Sequence, residues 1–89
     1  MSDYRLEVSG PAERSLDQLP PKVAAAIVEF MTGPLLEVPH RVGKPLQREL
    51  AGLRSARRST YRVLYRVDED SRTVRVVRID HRSRVYRAR

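Results

Sequence analysis

A chain of 89 residues with no cysteine and a formal net charge of +7 is expected to form one domain, residues 1–89, with a small core and neither disulfides nor thiolate chemistry. No apolar run approaches the ~18 residues of a membrane span, and no basic-then-apolar leader opens the sequence, so a cytoplasmic protein without membrane contact is expected. The charge is uneven: residues 1–40 hold three basic side chains against six acids, a net −3, whereas residues 41–89 hold fifteen against five, a net +10.

The first predicted element is a strand over residues 4–8, where Tyr4, Leu6 and Val8 alternate with Arg5 and Glu7. Gly10-Pro11 then opens a helix with proline at its front, and Ala12, Leu16 and Leu19 form its apolar stripe. Pro20-Pro21 stops that helix and starts a second. There Val23, Ala26, Ile27, Phe30 and Met31 recur at helical spacing until Gly33-Pro34 ends the element. Pro34, Pro39, Gly43 and Pro45 break residues 34–50, leaving at most a helical turn around Leu35–Val38. Three strands follow at roughly 51–58, 60–68 and 73–80, the last two joined by a tight turn at Asp68-Glu69-Asp70-Ser71. The order β-α-α-β-β-β predicts an α+β fold, a helical hairpin packed on one face of a small, mostly antiparallel sheet.

Alternation assigns the two faces of that sheet. On strand 60–68, Tyr61, Val63, Tyr65 and Val67 share the face the helices cover, and Arg62, Leu64 and Arg66 share the other. Arg54, Arg57, Arg58, Arg75 and Arg78 lie on the adjacent strands, so the open face is expected to be an arginine-rich working surface. A basic half of this strength exceeds what solubility requires and is the electrostatic footprint of a nucleic-acid partner. Sixteen of the eighteen basic residues are arginine, whose fork grips phosphate bidentately but does not release its proton.

Other chemistries lack their residues. Gly43-Lys44 stands without P-loop spacing, and no strand–turn–helix elbow carries a nucleophilic serine. His40 and His81, the only histidines, have no partners at ligand spacing, so neither a metal nor a cofactor is expected. RNA cleavage asks for little more than the chain offers. The 2′-hydroxyl is an internal nucleophile, so the protein must hold the backbone in line, neutralise the phosphate and move two protons. Arginines provide the first two services, and Tyr86, His81 and Lys44 are candidates for the third.

These residues carry a resemblance to the RelE family of bacterial toxins, within the wider RelE/ParE superfamily, over nearly the whole chain. The family's R-x-(G)-x-Y-R-x-x-Y strand pair reads here Arg57-Arg58-Ser59-Thr60-Tyr61-Arg62-Val63-Leu64-Tyr65. Its H-R-x-x-V-Y reads His81-Arg82-Ser83-Arg84-Val85-Tyr86, and G-K-P-L stands at Gly43–Leu46. The resemblance implies the toxin of a type II toxin–antitoxin system: a ribosome-dependent, metal-independent endoribonuclease that cuts mRNA. It also implies a cognate antitoxin encoded alongside, through which the complex binds operator DNA. Carried over by position, Arg62 and Arg82 would hold the transition-state phosphate, Tyr86 would take or orient a proton, and Lys44 and Arg57 would grip the RNA backbone. Arg48, Arg54 and Arg58 join them as candidate RNA contacts in the basic half. Two departures stand out: Leu53 and Ser55 occupy positions where relatives carry proton-transferring lysines, and Ser59 replaces a customary glycine. The alternative readings are a ParE-like toxin that inhibits gyrase without nuclease activity, and an RNA-binding module whose catalysis has decayed. His81 reads as a structural strand-end histidine, and Arg87 and Arg89 as a basic tail.

Overall fold

A computed structural model describes residues 4–81 of the chain. Strand β1 (Arg5–Val8) is followed by helices α1 (Gly10–Gln18) and α2 (Pro21–Thr32), a single-turn helix α3 (Pro34–Glu37), and strands β2 (Lys44–Pro45), β3 (Arg54–Arg58), β4 (Tyr61–Asp68) and β5 (Thr73–His81). The sheet order is β1-β5-β4-β3-β2. Strand β1 runs parallel to β5, and every other pairing is antiparallel. The expected α+β architecture therefore forms, with one parallel pair at the β1 edge.

Local chemistry sets most of the boundaries. Ser9 caps α1: its Oγ accepts from the Ala12 amide at 3.1 Å and donates to the Val77 carbonyl at 2.8 Å, so one buried hydroxyl satisfies the helix end and ties it to β5. Prolines open α2 and α3. The β4–β5 turn is an Asx turn in which Asp68 Oδ1 accepts from the amides of Asp70 and Ser71 at 3.0 and 3.2 Å. At the β3–β4 turn Ser59 adopts φ 58°, the left-handed conformation that glycine takes without steric cost.

The core lies between the helices and one sheet face. Val63 and Tyr65 of β4, Val74, Val76 and Ile79 of β5 and Ala56 of β3 meet Ala12, Ile27, Phe30, Met31 and Leu35. The apolar positions of β5 change parity between Val76 and Ile79. A bulge opposite Leu64/Tyr65 absorbs the extra residue, so Ile79 faces the core opposite Val63 while Val76 faces it opposite Tyr65. Each fully buried aliphatic side chain contributes ~1.5–3 kcal/mol.

Four sequence expectations are corrected. Residues 51–53 are not strand: Arg48–Leu50 is a 3₁₀ turn, and β3 starts at Arg54. Lys44-Pro45, read as irregular, is a short edge strand paired with Ser55 and Arg54. Ala26 is exposed, so the buried stripe of α2 is Ile27, Phe30 and Met31 with half-buried Val23. Leu64 is only 3% exposed although it lies on the face opposite the helices, between cross-strand neighbours Ser55 and Arg78.

Removing the Ser9 hydroxyl leaves both the Ala12 amide and the Val77 carbonyl without that partner. Ser9→Ala is therefore expected to lower unfolding free energy by about 1–2 kcal/mol, read as a shifted urea midpoint with an unchanged m-value.

Candidate functional site

On the sheet face away from the helices, Arg41, Val42, Gly43, Lys44, Ser55, Arg57 and Arg62 line a groove of about 490 Å³. Strand alternation puts Ser55 and Arg57 on one face of β3, and register sets Arg57 directly opposite Arg62 on β4. Lys44 of β2 stands opposite Ser55. The lining thus has four cations and no acid, although Asp80 of β5 stands opposite Arg62. Like charges directly opposite on neighbouring strands are destabilising. Two unit charges ~10 Å apart repel by roughly 0.4–1.7 kcal/mol between bulk water and a protein surface. A bound phosphate reverses the sign of that term. The Ser55 side-chain oxygen is buried beside the groove and has no hydrogen-bond partner among the described residues.

One wall of the groove is the loop leading into β2, and a compact set of contacts fixes it to the sheet. Tyr65, fully buried, donates its phenol to the Pro39 carbonyl at 2.5 Å. Arg54 donates through Nη2 to the carbonyls of His40 and Gly43, at 2.8 and 3.0 Å. Gly43 packs so tightly that a Cβ there would lie 2.5 Å from Tyr65 Oη and 2.8 Å from the Ser55 carbonyl. Burial raises the Tyr65 pKa above its ordinary 10.0, and the adjacent Arg54 opposes this in part. Outside the knot, the His40 ring contacts Glu69 at 2.5 Å, and Glu69 also accepts from Tyr4 and Arg72. His40, then Tyr4, hold the Glu69 carboxyl below its usual range.

Three of the residues singled out from the sequence, Lys44, Arg57 and Arg62, come together in this groove. Arg54 and Arg58 do not join them. Pairing with Tyr65 and Tyr61 puts both on the helix side of β3, where Arg54 holds the loop and the Arg58 guanidinium lies 4.0 Å over the Phe30 ring. Arg48, exposed in the 3₁₀ turn, does not line the groove. Arg75 and Arg78 are on the strand β5, ion-paired with Glu7 and Asp80 at 3.1 and 2.8 Å. Arg82 and Tyr86 lie outside the described residues. The His81 ring meets Tyr61 edge-on at 5.4 Å. Among the described residues no His, Cys, Asp or Glu cluster could hold a metal, and no helix is long and apolar enough to cross a membrane. Arg41 is the groove residue that sequence reasoning missed. It sits in an irregular stretch whose periodicity carries no signal, and only the fold of the loop brings it to the groove that Arg57 also lines.

Known proteins share the fold that carries this groove. The family described as ParE toxin of type II toxin-antitoxin system, parDE, matches residues 6–86. Toxin RelG of Mycobacterium tuberculosis is 54% identical over 84 residues, covering 94% of this chain and 97% of the relative. Toxin RelE of the same organism is 50% identical over 90 residues, covering 98% and 93%. The crystal structure of the M. tuberculosis toxin–antitoxin complex RelBE2 superposes with a TM-score of 0.86 at 54% identity, covering 90% of this chain and 99% of that one. Fold and relatives together define a toxin of the type II toxin–antitoxin class. Within that class, the chain belongs to the RelE family of the RelE/ParE superfamily.

Two outcomes test the loop anchorage. Gly43→Ala forces a Cβ into the phenol and is expected to destabilise the fold by about 1–3 kcal/mol, measured by urea unfolding. The raised Tyr65 pKa contributes stability that is complete below pH ~10 and is lost as pH rises through the folded-state value. A phenolate absorbance titration should show a late ionisation that accompanies unfolding and disappears in Tyr65→Phe.

Proposed function

We propose that this chain is a ribosome-dependent endoribonuclease that cleaves mRNA and thereby inhibits translation. The observation that carries the reading is the Arg57–Arg62 cross-strand pair, set with Lys44 and Arg41 around one groove. Four clustered cations suit a phosphodiester that gains negative charge on the way to a pentavalent phosphorus. In the reaction the 2′-hydroxyl oxygen attacks the adjacent phosphorus while the bond to the 5′-oxygen breaks. One proton leaves the 2′-oxygen and another reaches the departing 5′-oxygen, giving a cyclic phosphate and a 5′-hydroxyl. Arg62 holds the non-bridging oxygens, joined by Arg82 from the family motif, while Lys44 and Arg57 hold the flanking backbone. Arginines stay protonated, so the proton work falls elsewhere, and Tyr86 is the side chain the family resemblance assigns to it.

The relatives named as toxins, and the RelBE2 complex among the structures, support a cognate antitoxin for this chain as well. An acidic segment laid over the cationic face would remove the repulsion described above and block RNA at once. Operator binding by the pair would then run through the antitoxin. A second reading, a gyrase-inhibiting toxin without nuclease chemistry, draws on the ParE description of the matching family and on Leu53 and Ser55 standing where the family resemblance implies proton-transferring lysines.

Single-turnover cleavage of ribosome-bound message separates these readings. Arg62→Ala removes a charge-assisted contact to the transition state worth about 3–4 kcal/mol, a several-hundred-fold loss of rate, and Arg62→Lys restores only part of it. Tyr86→Phe is expected to slow cleavage roughly a hundredfold with ribosome binding intact. Wild-type protein that leaves the message whole yet blocks supercoiling by gyrase would establish the second reading. Affinity for RNA should also fall steeply between low and physiological salt as counterions are released; a flat salt response would remove the groove from consideration.

A further inference from the structure

We infer that Arg54 and Tyr65 are positioning residues: they clamp the loop over residues 39–43 to the sheet and so set the cationic groove, without touching the anion themselves. Tyr65 is fully buried, on the helix side of β4, and carries no charge, so it cannot contact RNA. Its phenol and the Arg54 guanidinium end on three points of one loop: the Pro39, His40 and Gly43 carbonyls. That loop carries Arg41 and runs directly into Lys44, half of the groove's cations. The other half, Arg57 and Arg62, is rigidly built into the sheet.

The clamp is needed because the groove opposes its own closure. Arg41 and Lys44 share the groove with Arg57 and Arg62, and although Asp80 stands opposite Arg62 on β5, the excess of like charge around the groove favours outward displacement of the loop wall. Backbone pairing of β2 with β3 covers only two residues, Lys44 and Pro45. Arg54 and Tyr65 hold the stretch ahead of it, and the missing Cβ of Gly43 lets the loop approach closely enough to be held. An arginine that reads from sequence as an RNA contact thus acts through the loop it anchors.

The link to RNA rests on the proposed function; the clamp does not, and two measurements keep them apart. The first is amide hydrogen exchange of Tyr65→Phe and Arg54→Lys, which follows the Arg41 and Val42 amides, both bonded to the Val38 carbonyl at 2.9 and 3.2 Å. Exchange at these two sites should accelerate roughly tenfold while core amides such as Val63 and Val74 keep their protection. Unchanged loop exchange, or equal acceleration throughout, overturns the clamp whatever the protein binds. The second is a cycle with a fluorescent single-stranded RNA oligonucleotide, read well below the Tm of every variant. Each clamp variant should weaken binding roughly tenfold in the wild-type background and less than about twofold in Arg41→Ala/Lys44→Ala, because the loop cations through which it acts are gone. The salt slope of Tyr65→Phe should drop by up to about 1.4, two contacts to single-stranded RNA. Additive losses would make Arg54 a direct contact and overturn the positioning role. Absence of salt-dependent binding by the wild type would instead overturn the RNA reading, leaving the exchange result to decide the clamp.

Discussion

The phenol of Tyr65 lies where the two halves of the molecule meet, and most of the site's geometry follows from it. It belongs to the core, at the centre of the face covered by the helices, yet its hydroxyl reaches the loop that forms the outer wall of the groove. A buried hydroxyl needs a partner, and a buried loop carbonyl needs a donor; here each satisfies the other. Arg54, directly opposite on β3, adds two further bonds to the same loop. Gly43 is where the contact is closest, since nothing larger than hydrogen fits between its Cα and the phenol.

From this anchorage comes an answer to why strand β4 carries both core residues and cations. A strand has two faces, and the helices of a chain this short can cover only one. The covered face gathers Tyr61, Val63, Tyr65 and Val67, while Arg62 and Arg66 look outward. Stability in a small domain is on the order of 5–15 kcal/mol, so a cluster of like charges is a sizeable debit in the absence of an anion. The same excess of positive charge is what the proposed phosphate grip draws on.

Much of this architecture was legible in the sequence because strong local signals marked it. Paired prolines delimit α1 and α2, period-two alternation marks β1 and β4, and Asp68 marks the hairpin turn. The face assignments on β3 were not legible from composition. Arg57 and Arg58 are neighbours and must point to opposite faces, and only the pairing of Ala56 with Val63 decides which of them meets Arg62. The parallel β1–β5 pairing and the bulge opposite Leu64/Tyr65 are tertiary facts with no local cue. Arg41 likewise owes its place to three hydrogen bonds made by distant residues. The candidate site was therefore half readable: the cations on strands from their motif and alternation, the loop wall only from the fold.

If the groove holds an RNA phosphate during cleavage, transcripts in growing cells carry the trace. Inducing the wild-type chain and its Arg62→Ala variant and mapping transcript 5′ ends reads it out. New 5′-hydroxyl ends inside translated codons are expected with the wild type and are lost with Arg62→Ala at equal protein level. Growth arrest by the wild type with no new transcript ends would rule out RNA cleavage at this groove as the cause of toxicity.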